Sequence, residues 1–221
     1  MWGFPMKFTT SSGLHVIMRA YRDDEATVLS QGVSSAEVCR YISLNGAQTP
    51  AQEQEWIKKT AEDKDSAHWA ICLGEHEADV VGKPVGTSGL NKRHYSRATS
   101  GVVIFDRSVW GKGLASACHR ARCLYAHEVL GLHAIDSAVI QGNDGSIRAL
   151  RGVGYEVVGI HYSEHLADGQ LRHLNELTWV NPTERVWDYF WGDNEIPNKF
   201  HKARERALAA LEQAKQEVTF L

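Results

Sequence analysis

The sequence predicts an α/β (α+β) fold in which a central, mostly antiparallel sheet of about seven strands is flanked by helices. Three observations predict it. The length of 221 residues fits one domain with an appendage. Hydrophobic residues make up 43% and charged residues 23%, a composition that can bury a core and that excludes disordered, collagenous and coiled-coil rod proteins. The apolar pattern alternates between strand and helix periods in the order β-α-α-β-β-β-α-β-α-β-β.

The first part of the chain predicts one strand and two helices. Residues 14 to 21 mix apolar, β-branched and polar residues as strands do, and the acidic residues at 23 to 25 suit the first turn of a helix. Thr49, Pro50 and Gln52 form a capping box with proline at the first helical position. We therefore expect a second helix from residue 50 to about residue 62.

The middle of the chain predicts the rest of the sheet. Between residues 67 and 105, three β segments with short connections favour an antiparallel meander. Residues 111 to 130 predict a helix with one apolar stripe, formed by Leu114, Cys118, Ala121 and Tyr125. A strand, a short helix from about residue 144 to 151 and two final strands joined at residues 167 to 169 complete the pattern.

The composition changes after Asn181 and Pro182, so we divide the chain into a domain at 1–182 and an appended segment at 183–221. The appended segment begins with an aromatic-rich stretch at residues 186 to 191 and ends in a charged helix at residues 199 to 217. The apolar face of this helix is expected to dock on the domain, with a dimer contact or a substrate lid as the alternative. That face consists of Phe200, Ala203, Ala207, Leu211, Ala214 and Val218.

Charge and cysteine content restrict the partners and the compartment. A net charge of −3 is too weak for bulk steering to a polyanion, so we expect no nucleic-acid partner. No stretch approaches 18 apolar residues, so we expect no membrane span. The four cysteines, at 39, 72, 118 and 123, contain no CxxC pair and suit reduced thiols. A soluble, cytoplasmic protein is predicted, with a homodimer through the C-terminal segment as a possibility.

One stretch, residues 107 to 127, contains four positive side chains and no acid: Arg107, Lys112, Arg120 and Arg122. Gly111 and Gly113 stand where a strand ends and a helix begins. Backbone can approach a ligand closely there, and the free N–H groups of the helix start can bind phosphate oxygens. The stretch predicts a local anion site. It lacks the third glycine of G-x-G-x-x-G, and no GxxxxGK[ST] occurs in the chain, which argues against Rossmann and P-loop folds.

The motif V-W-G-K-G-L-A at residues 109 to 115, followed by N-D-G-S-I-R-A-L at 143 to 150 and Gly154-Tyr155, resembles the acyl-CoA-binding core of the GNAT N-acetyltransferases. It is most similar to the RimJ/RimL-type subgroup, which acetylates protein N-termini and small amines. The resemblance covers about residues 14 to 181 and leaves out the tail. It implies the GNAT fold with a mixed sheet, acetyl-CoA as acyl donor, no metal, and an acceptor that is a small amine or a protein N-terminus.

The resemblance also implies roles for residues at the matched positions. Backbone at the end of a strand would bind the pantetheine arm, and the loop before the helix would bind the CoA pyrophosphate. Ser146 would give a proton to the leaving thiolate, although Asn143 and Ser146 also suit helix capping. Leu150 stands where many members have a tyrosine, which leaves Ser146 favoured. The implied cofactor-binding residues are Ile104, Phe105, Gly111, Lys112, Gly113, Ala115, Ser116 and Asn143.

Two departures from the family pattern concern phosphate charge and the general base. Ser108 replaces the Arg or Gln that often opens the phosphate loop, so Lys112, His119 or Arg120 would supply positive charge. No acid lies at residues 99 to 105, where many members place the base. The candidates for the base are Asp106, Glu176, His161, His165 and His173.

Other functions compete with this reading. The string H-x-x-E-H at residues 161 to 165 occurs in a class of zinc peptidases, but its flanking residues predict a strand where that site requires a helix. His119 and Cys123 are spaced as helical metal ligands, but a third ligand is not evident. Nucleic-acid binding has only the basic stretch in its favour. A non-catalytic CoA-binding sensor or interaction module is the main alternative to an enzyme.

Overall fold

The computed structural model describes residues 1–42, 46–74 and 82–221. Within them the chain forms nine strands and seven helices. The strands are β1 (Met6–Thr9), β2 (His15–Arg19), β3 (Ala67–Leu73), β4 (Pro84–His94), β5 (Arg97–Ile104), β6 (Ala134–Ile140), β7 (Glu156–Ala167), β8 (Gln170–Val180) and β9 (Thr219–Phe220). The helices are α1 (Ala26–Val33), α2 (Ala36–Cys39), α3 (Pro50–Glu62), α4 (Leu114–Glu128), α5 (Asp144–Gly152), α6 (Glu184–Trp191) and α7 (Asn198–Glu217).

All nine strands belong to one sheet, in the order β7-β8-β6-β5-β4-β3-β2-β1-β9. Every neighbouring pair is antiparallel except β5 and β6, which are parallel. The predicted meander is confirmed as β3, β4 and β5, although residues 80 and 81 of its predicted middle segment lie outside the described residues. The mixed, mostly antiparallel sheet is therefore as expected.

The sheet has two more strands than the sequence predicted. β1 has four residues and forms a hairpin with β2, so a hairpin precedes the first helix. The turn between them contains Gly13 at φ +83°. β9 has two residues and pairs with β1 at the edge of the sheet. β9 is too short to show a strand period, and the alternation Met6-Lys7-Phe8-Thr9 of β1 is the shortest that indicates a strand, so neither was predicted.

Helix starts follow local chemistry. The capping box at Thr49 is confirmed, because its hydroxyl accepts from the N–H of Gln52 (3.3 Å) while the Gln52 side chain accepts from the N–H of Thr49 (2.8 Å). α4 begins at Leu114 rather than at residue 111. Gly111 and Gly113 both have φ +74°, a left-handed conformation that no α-helix contains. The acidic residues at 23 to 25 form a 3-10 turn, and α1 begins after it.

Helices cover both faces of the sheet. The main core lies between the sheet, α4 and α7, and contains Trp69, Tyr125, Tyr155 and Trp179, all nearly inaccessible to solvent. A second cluster joins α1 and α3 to the opposite face through Ala70 and Cys72 of β3. Successive residues of a strand point to opposite faces, so β3 contributes to both cores. The predicted α4 stripe is buried throughout.

The predicted apolar face of α7 packs on the domain. Phe200, Ala203, Ala207, Leu211 and Ala214 are buried and Val218 is half-buried. Ala207, Leu211 and Ala214 belong to the main core itself. The domain boundary near residue 182 and a homodimer through the C-terminal segment stay predictions. Within the described ranges, no helix is both long and apolar enough to cross a bilayer.

Polar contacts reinforce the docking of α7. Arg206 donates from Nε to the carbonyl of Arg151 (2.8 Å) and pairs with the buried Glu156 (3.0 Å). At the C-terminal end of the helix, Glu217 pairs with Arg120 of α4 (2.9 Å). The position of α7 on α4 and α5 is therefore set near the middle of the helix and at its C-terminal end.

Gly154 allows α7 to approach the end of α5. This residue has φ +99°, and a Cβ placed on it would lie 2.5 Å from the Cβ of Ala207 and 2.8 Å from its backbone. We expect Gly154→Ala to lower the free energy of unfolding by roughly 2 to 4 kcal/mol, through backbone strain and overpacking together. Urea denaturation would measure this change.

Gly131→Ala is the matched control. Gly131 also follows a helix and has a left-handed φ of +60°, but a Cβ there meets nothing within 4 Å. Its cost should be about 1 kcal/mol, from strain alone. If both variants lose the same stability, α7 does not pack on this turn.

Candidate active site

The site begins where the two parallel strands separate. β5 and β6 pair at Arg97–Ala134, Ala98–Ile135 and Thr99–Asp136. Beyond these pairs β5 continues alongside β4, and β6 continues alongside β8. The sheet therefore opens between residues 100–104 of β5 and residues 137–140 of β6.

The backbone of β5 presents hydrogen-bonding groups to this opening. Phe105 donates its N–H to the carbonyl of Val85 in β4 (3.0 Å). Counting back from Phe105 along the β4–β5 register, every second residue of β5 is hydrogen-bonded to β4. In an antiparallel pair, every second residue directs its N–H and C=O away from the partner strand. Ser100, Val102 and Ile104 are those residues, so their backbone groups face the opening.

Two of these groups have partners in the protein. The Ser137 hydroxyl donates to the Ser100 carbonyl (3.3 Å), and the Trp110 indole N–H donates to the Ile104 carbonyl (2.9 Å). The backbone of Val102 lies between them. A ligand with amide groups can therefore pair with β5 as a missing strand would.

A cleft of about 620 Å³ occupies this opening. Its walls come from β5, the start of α4, the start of α5 and the end of α2. The lining residues used below are Glu37, Tyr41, Val102, Ile104, Trp110, Gly111, Gly113, Ala115, Ser116, His119, Asn143, Ser146 and Arg148.

The N-terminus of α4 forms one end of the cleft. Its first intrahelical hydrogen bond runs from Ala117 N–H to the Gly113 carbonyl (3.1 Å), so the N–H groups of residues 114 to 116 precede it. Such groups carry the positive end of the helix dipole and bind phosphate oxygens well. The left-handed φ of Gly111 and Gly113 shapes the loop that leads into them.

The four positive side chains of residues 107 to 127 do not form one patch. Arg107 pairs with Glu37 (3.0 Å) and Arg120 pairs with Glu217 (2.9 Å), while Arg122 is fully buried. Lys112 is exposed, and its carbonyl accepts from the Ser12 hydroxyl (2.8 Å). The backbone N–H groups at residues 114 to 116 and the Arg148 side chain at the cleft wall are instead the groups that can attract an anion.

A family model described as "Acetyltransferase (GNAT) domain" matches residues 15–156 of this chain. The chain belongs to the GNAT acetyltransferase family. It is accordingly an acyltransferase. It is also similar to an uncharacterised N-acetyltransferase of Bacillus subtilis, YoaA, with 26% identity over 172 residues, which cover 76% of this chain and 95% of the relative.

Solved GNAT structures share the fold. Spermidine N-acetyltransferase from Vibrio cholerae, in complex with CoA and spermine, matches with a TM-score of 0.66 and 16% identity over 75% of this chain and 95% of its own. RimJ from Mycobacterium smegmatis, in complex with CoA-disulfide, matches with a TM-score of 0.69 and 16% identity. The RimJ match covers 99% of this chain and 100% of RimJ, so it includes α6 and α7.

Most of the residues that the GNAT resemblance implied lie together in the cleft. Those that line it are Ile104, Gly111, Gly113, Ala115, Ser116, Asn143 and Ser146. Phe105 and Lys112 are not among its lining residues. The Phe105 ring packs against Gly32 of α1 instead, in the second core cluster.

Asn143 caps helix α5. Its side-chain carbonyl accepts from the N–H of Ser146 (3.2 Å). The capping role considered from the sequence is therefore present for Asn143. Ser146 takes part through its N–H, which leaves its hydroxyl outside the cap. Leu150 is buried in the core, as its apolar character suggests.

The predicted acids lie away from the cleft walls. Asp106 caps the 3-10 turn after β5, where its carboxylate accepts from the N–H of Ser108 (2.9 Å). Glu176 is exposed on β8 and pairs with His161 (2.9 Å). His173 accepts from the Ser163 N–H (3.1 Å) and His165 lies in β7, so the H-x-x-E-H string is in a strand, as predicted. None of these side chains lines the cleft.

Several cleft residues were not predicted as site residues. Trp110 lies in the W-G-K-G motif, so its position beside the glycines was a usable signal. Arg148 lies in the N-D-G-S-I-R-A-L motif, so it too could have been named. Val102 comes from a strand and Tyr41 from the turn after α2, and neither has a distinctive spacing. His119 was considered only as a source of phosphate charge or as a metal ligand, although it forms part of the cleft wall.

The cysteines of α4 do not indicate a metal site. Cys118 and Cys123 are fully buried, and burial raises the pKa of each thiol to about 12, which disfavours the thiolate that a metal requires. Among the residues with described positions, no group of three or more His, Cys, Asp or Glu side chains is placed to hold a metal ion.

Proposed function

We propose that this GNAT acyltransferase transfers an acetyl group from acetyl-CoA to a primary amine, by direct attack in a ternary complex. The observation that carries the proposal is the separation of β5 from β6 beside the N-terminus of α4. An amide-bearing strand partner and a diphosphate are both accommodated there, and CoA contains both groups.

The proposed position of acetyl-CoA follows from the cleft. Its pantetheine amides pair with the backbone of Val102 and with the N–H of Ile104. Its pyrophosphate lies against the loop of Gly111 and Gly113 and the N–H groups of Ala115 and Ser116. Arg148 at the wall offers a charge-assisted contact to a phosphate oxygen. The thioester then lies near Ser146, at the start of α5.

In the proposed reaction, the amine nitrogen attacks the thioester carbonyl carbon. The C–N bond forms, the C–S bond breaks, and the sulfur leaves as a thiolate that receives a proton from the Ser146 hydroxyl. The proton lost by the amine passes through water to the Ser146 oxygen, so the serine hydroxyl is regenerated in each turnover. Positioning of the two substrates supplies most of the acceleration.

An α-amine is the acceptor that suits this cleft best, as in a peptide or protein N-terminus. An α-amine with a pKa of about 8 is roughly 10% neutral at pH 7, whereas a lysine amine near 10.4 is about 0.04% neutral. Since Asp106 and Glu176 lie outside the cleft walls, an acceptor that needs little deprotonation is favoured. A small monoamine of low pKa is the second acceptor class.

A polyamine is less suited to the described cleft walls. Glu37 is the single acid among the described lining residues, and its carboxylate is already paired with Arg107 (3.0 Å). A polycation would be expected to meet several free carboxylates. The Vibrio cholerae structure with CoA and spermine therefore supports the position of CoA in our proposal. We do not carry its amine over to this chain.

Acetyl transfer to a panel of amines tests this function. We expect thiol release from acetyl-CoA with short peptides that have a free N-terminus, at a higher kcat/KM than with spermidine or with N-terminally blocked lysine peptides. The kcat/KM should rise with pH until the α-amine is deprotonated, near pH 8. Tight CoA binding without turnover of any amine would contradict the proposal.

Ser146→Ala tests the proposed proton donor. The cap on α5 uses the Ser146 N–H, so alanine keeps it and removes only the hydroxyl. A thiolate with a pKa near 8.5 leaves without much help, so we expect kcat to fall by about tenfold. The Kd for acetyl-CoA should remain within about twofold of the wild-type value.

Asn143→Ala is the comparison variant, because it removes the cap and should cost about 1 kcal/mol of folding stability. Steady-state kinetics and calorimetric titration would separate the two effects. A Ser146→Ala variant with unchanged kcat removes Ser146 from the mechanism.

A further inference from the structure

Arg122 of α4 is a buried cation without a carboxylate partner. Its exposed fraction is 0%, and across residues 1–42, 46–74 and 82–221 it takes part in no ion pair. Burying a charge in this way is costly and is tolerated only with good hydrogen bonds. The partners of Arg122 therefore need an explanation.

The guanidinium of Arg122 has polar neighbours on the sheet and in the cleft wall, and the Tyr155 hydroxyl is a further neighbour. One terminal nitrogen donates to the Gly101 carbonyl (2.8 Å) and to the Ser88 hydroxyl (3.3 Å). The other contacts Nδ1 of His119 at 2.7 Å. The first two partners lie on β4 and β5 near the point where β5 and β6 separate. The third partner is a side chain of the cleft wall.

Arginine fixes the protonation state of His119. A guanidinium has only donors and stays protonated in proteins, so Nδ1 of His119 must be the acceptor. The neutral imidazole then carries its proton on Nε2. Burial and the adjacent Arg122 charge hold the pKa of His119 well below its usual range, so the ring stays neutral at physiological pH.

The position of His119 is between Arg122 and the cleft. His119 follows Ala115 by four residues and Ser116 by three, so all three share one face of α4 and all three line the cleft. Arg122 follows His119 by three residues, on the side toward the core. With Nδ1 held by Arg122, Nε2 is the ring nitrogen that remains for the cleft.

We propose that His119 donates its Nε2–H to a carbonyl oxygen of the bound acyl donor, and that Arg122 is the positioning residue that fixes this donor. The inference rests on the proposed function, since the acyl donor must occupy the cleft. The carbonyl belongs either to an amide of the pantetheine arm or to the thioester.

Because the partner of Nδ1 is an arginine and not a carboxylate, His119 is a hydrogen-bond donor to the cleft and not a base. A carboxylate behind a histidine accepts from Nδ1–H, which leaves Nε2 as an acceptor for protons. Arg122 reverses this arrangement. It donates to Nδ1, so the imidazole proton is on Nε2, and Nε2 is a donor. His119 is therefore suited to bind a carbonyl oxygen and unsuited to deprotonate an amine.

His119→Leu and His119→Gln test the hydrogen bond. We expect calorimetric titration with CoA and with acetyl-CoA to show affinity about tenfold weaker for His119→Leu, since a donor to a buried carbonyl is lost. Glutamine carries a donor at a similar distance from the backbone, so His119→Gln should remain within about threefold of wild type. An equal loss for both ligands assigns the carbonyl to the pantetheine arm, and a loss for acetyl-CoA alone assigns it to the thioester.

Binding of CoA and acetyl-CoA to the wild-type protein distinguishes a failure of the proposed function from a failure of the role of His119. If the wild-type protein binds neither ligand, the proposed function fails. If it binds both, and folded His119→Leu binds them equally well, the role of His119 is overturned while the proposed function stands.

Arg122→Met tests positioning against a purely structural role. Methionine removes the buried charge but leaves the Gly101 carbonyl and Nδ1 of His119 without this donor, so its two effects on Tm oppose each other. We expect folded Arg122→Met to bind CoA about as weakly as His119→Leu, and the His119→Leu/Arg122→Met double variant to lose no more affinity than His119→Leu alone. Unchanged affinity in Arg122→Met, or additive losses in the double variant, would overturn the positioning role.

The tautomer can be measured directly, which keeps the inference testable if His119→Leu fails to fold. Nitrogen-15 NMR of the wild-type imidazole at pH 7, assigned by the signal lost in His119→Gln, should show the Nε2–H tautomer. An Nδ1–H tautomer or a protonated ring would overturn the inference.

Discussion

The short pairing between the parallel strands β5 and β6 is the constraint on which the rest of this structure depends. Three residue pairs join them, and the strands then follow different neighbours, β4 on one side and β8 on the other. A continuous sheet would leave no backbone groups free for a ligand. Because the pairing stops at Thr99, the strand edge at Val102 and Ile104 lines a cleft, and the N-terminus of α4 lies beside it. The cleft is a consequence of topology, and its chemistry is that of backbone N–H and C=O groups.

An opened sheet also creates buried polar groups that must be satisfied, and the residues around the point of separation show how this is done. Ser137 donates to the Ser100 carbonyl, and the Ser100 and Tyr155 hydroxyls lie 3.2 Å apart. Arg122 donates to the carbonyl of Gly101, a residue that the register directs toward β4. The Ser137 bond replaces one that a neighbouring strand would have made, and together these side chains give the buried polar groups near the opening a partner. One of them, Arg122, also reaches His119 in the cleft wall. Support of the fold and preparation of the binding surface are therefore connected.

Features that depend on neighbouring residues were predictable from the sequence. The capping box at Thr49, the buried stripe of α4 and the final hairpin all result from local periodicity or local hydrogen bonds, and the structure contains each of them. The glycines at 111 and 113 also marked a loop that lines the cleft.

Features set by distant residues were not predictable. The four positive side chains of residues 107 to 127 were expected to act together, but two of them, Arg107 and Arg120, pair with acids from other parts of the chain, Glu37 and Glu217. The same reason explains why Glu176 was proposed as a base, although it pairs with His161 on the exposed hairpin. No local pattern indicates that Arg122 is buried.

A crystal structure of the protein with CoA would test the central claim most directly, since that claim concerns where the acyl donor lies. The account predicts the pantetheine arm between β5 and β6, with an amide paired to the backbone of Val102. It also predicts the pyrophosphate against the N–H groups at residues 114 to 116. CoA bound outside this opening, or phosphates far from the start of α4, would contradict the account.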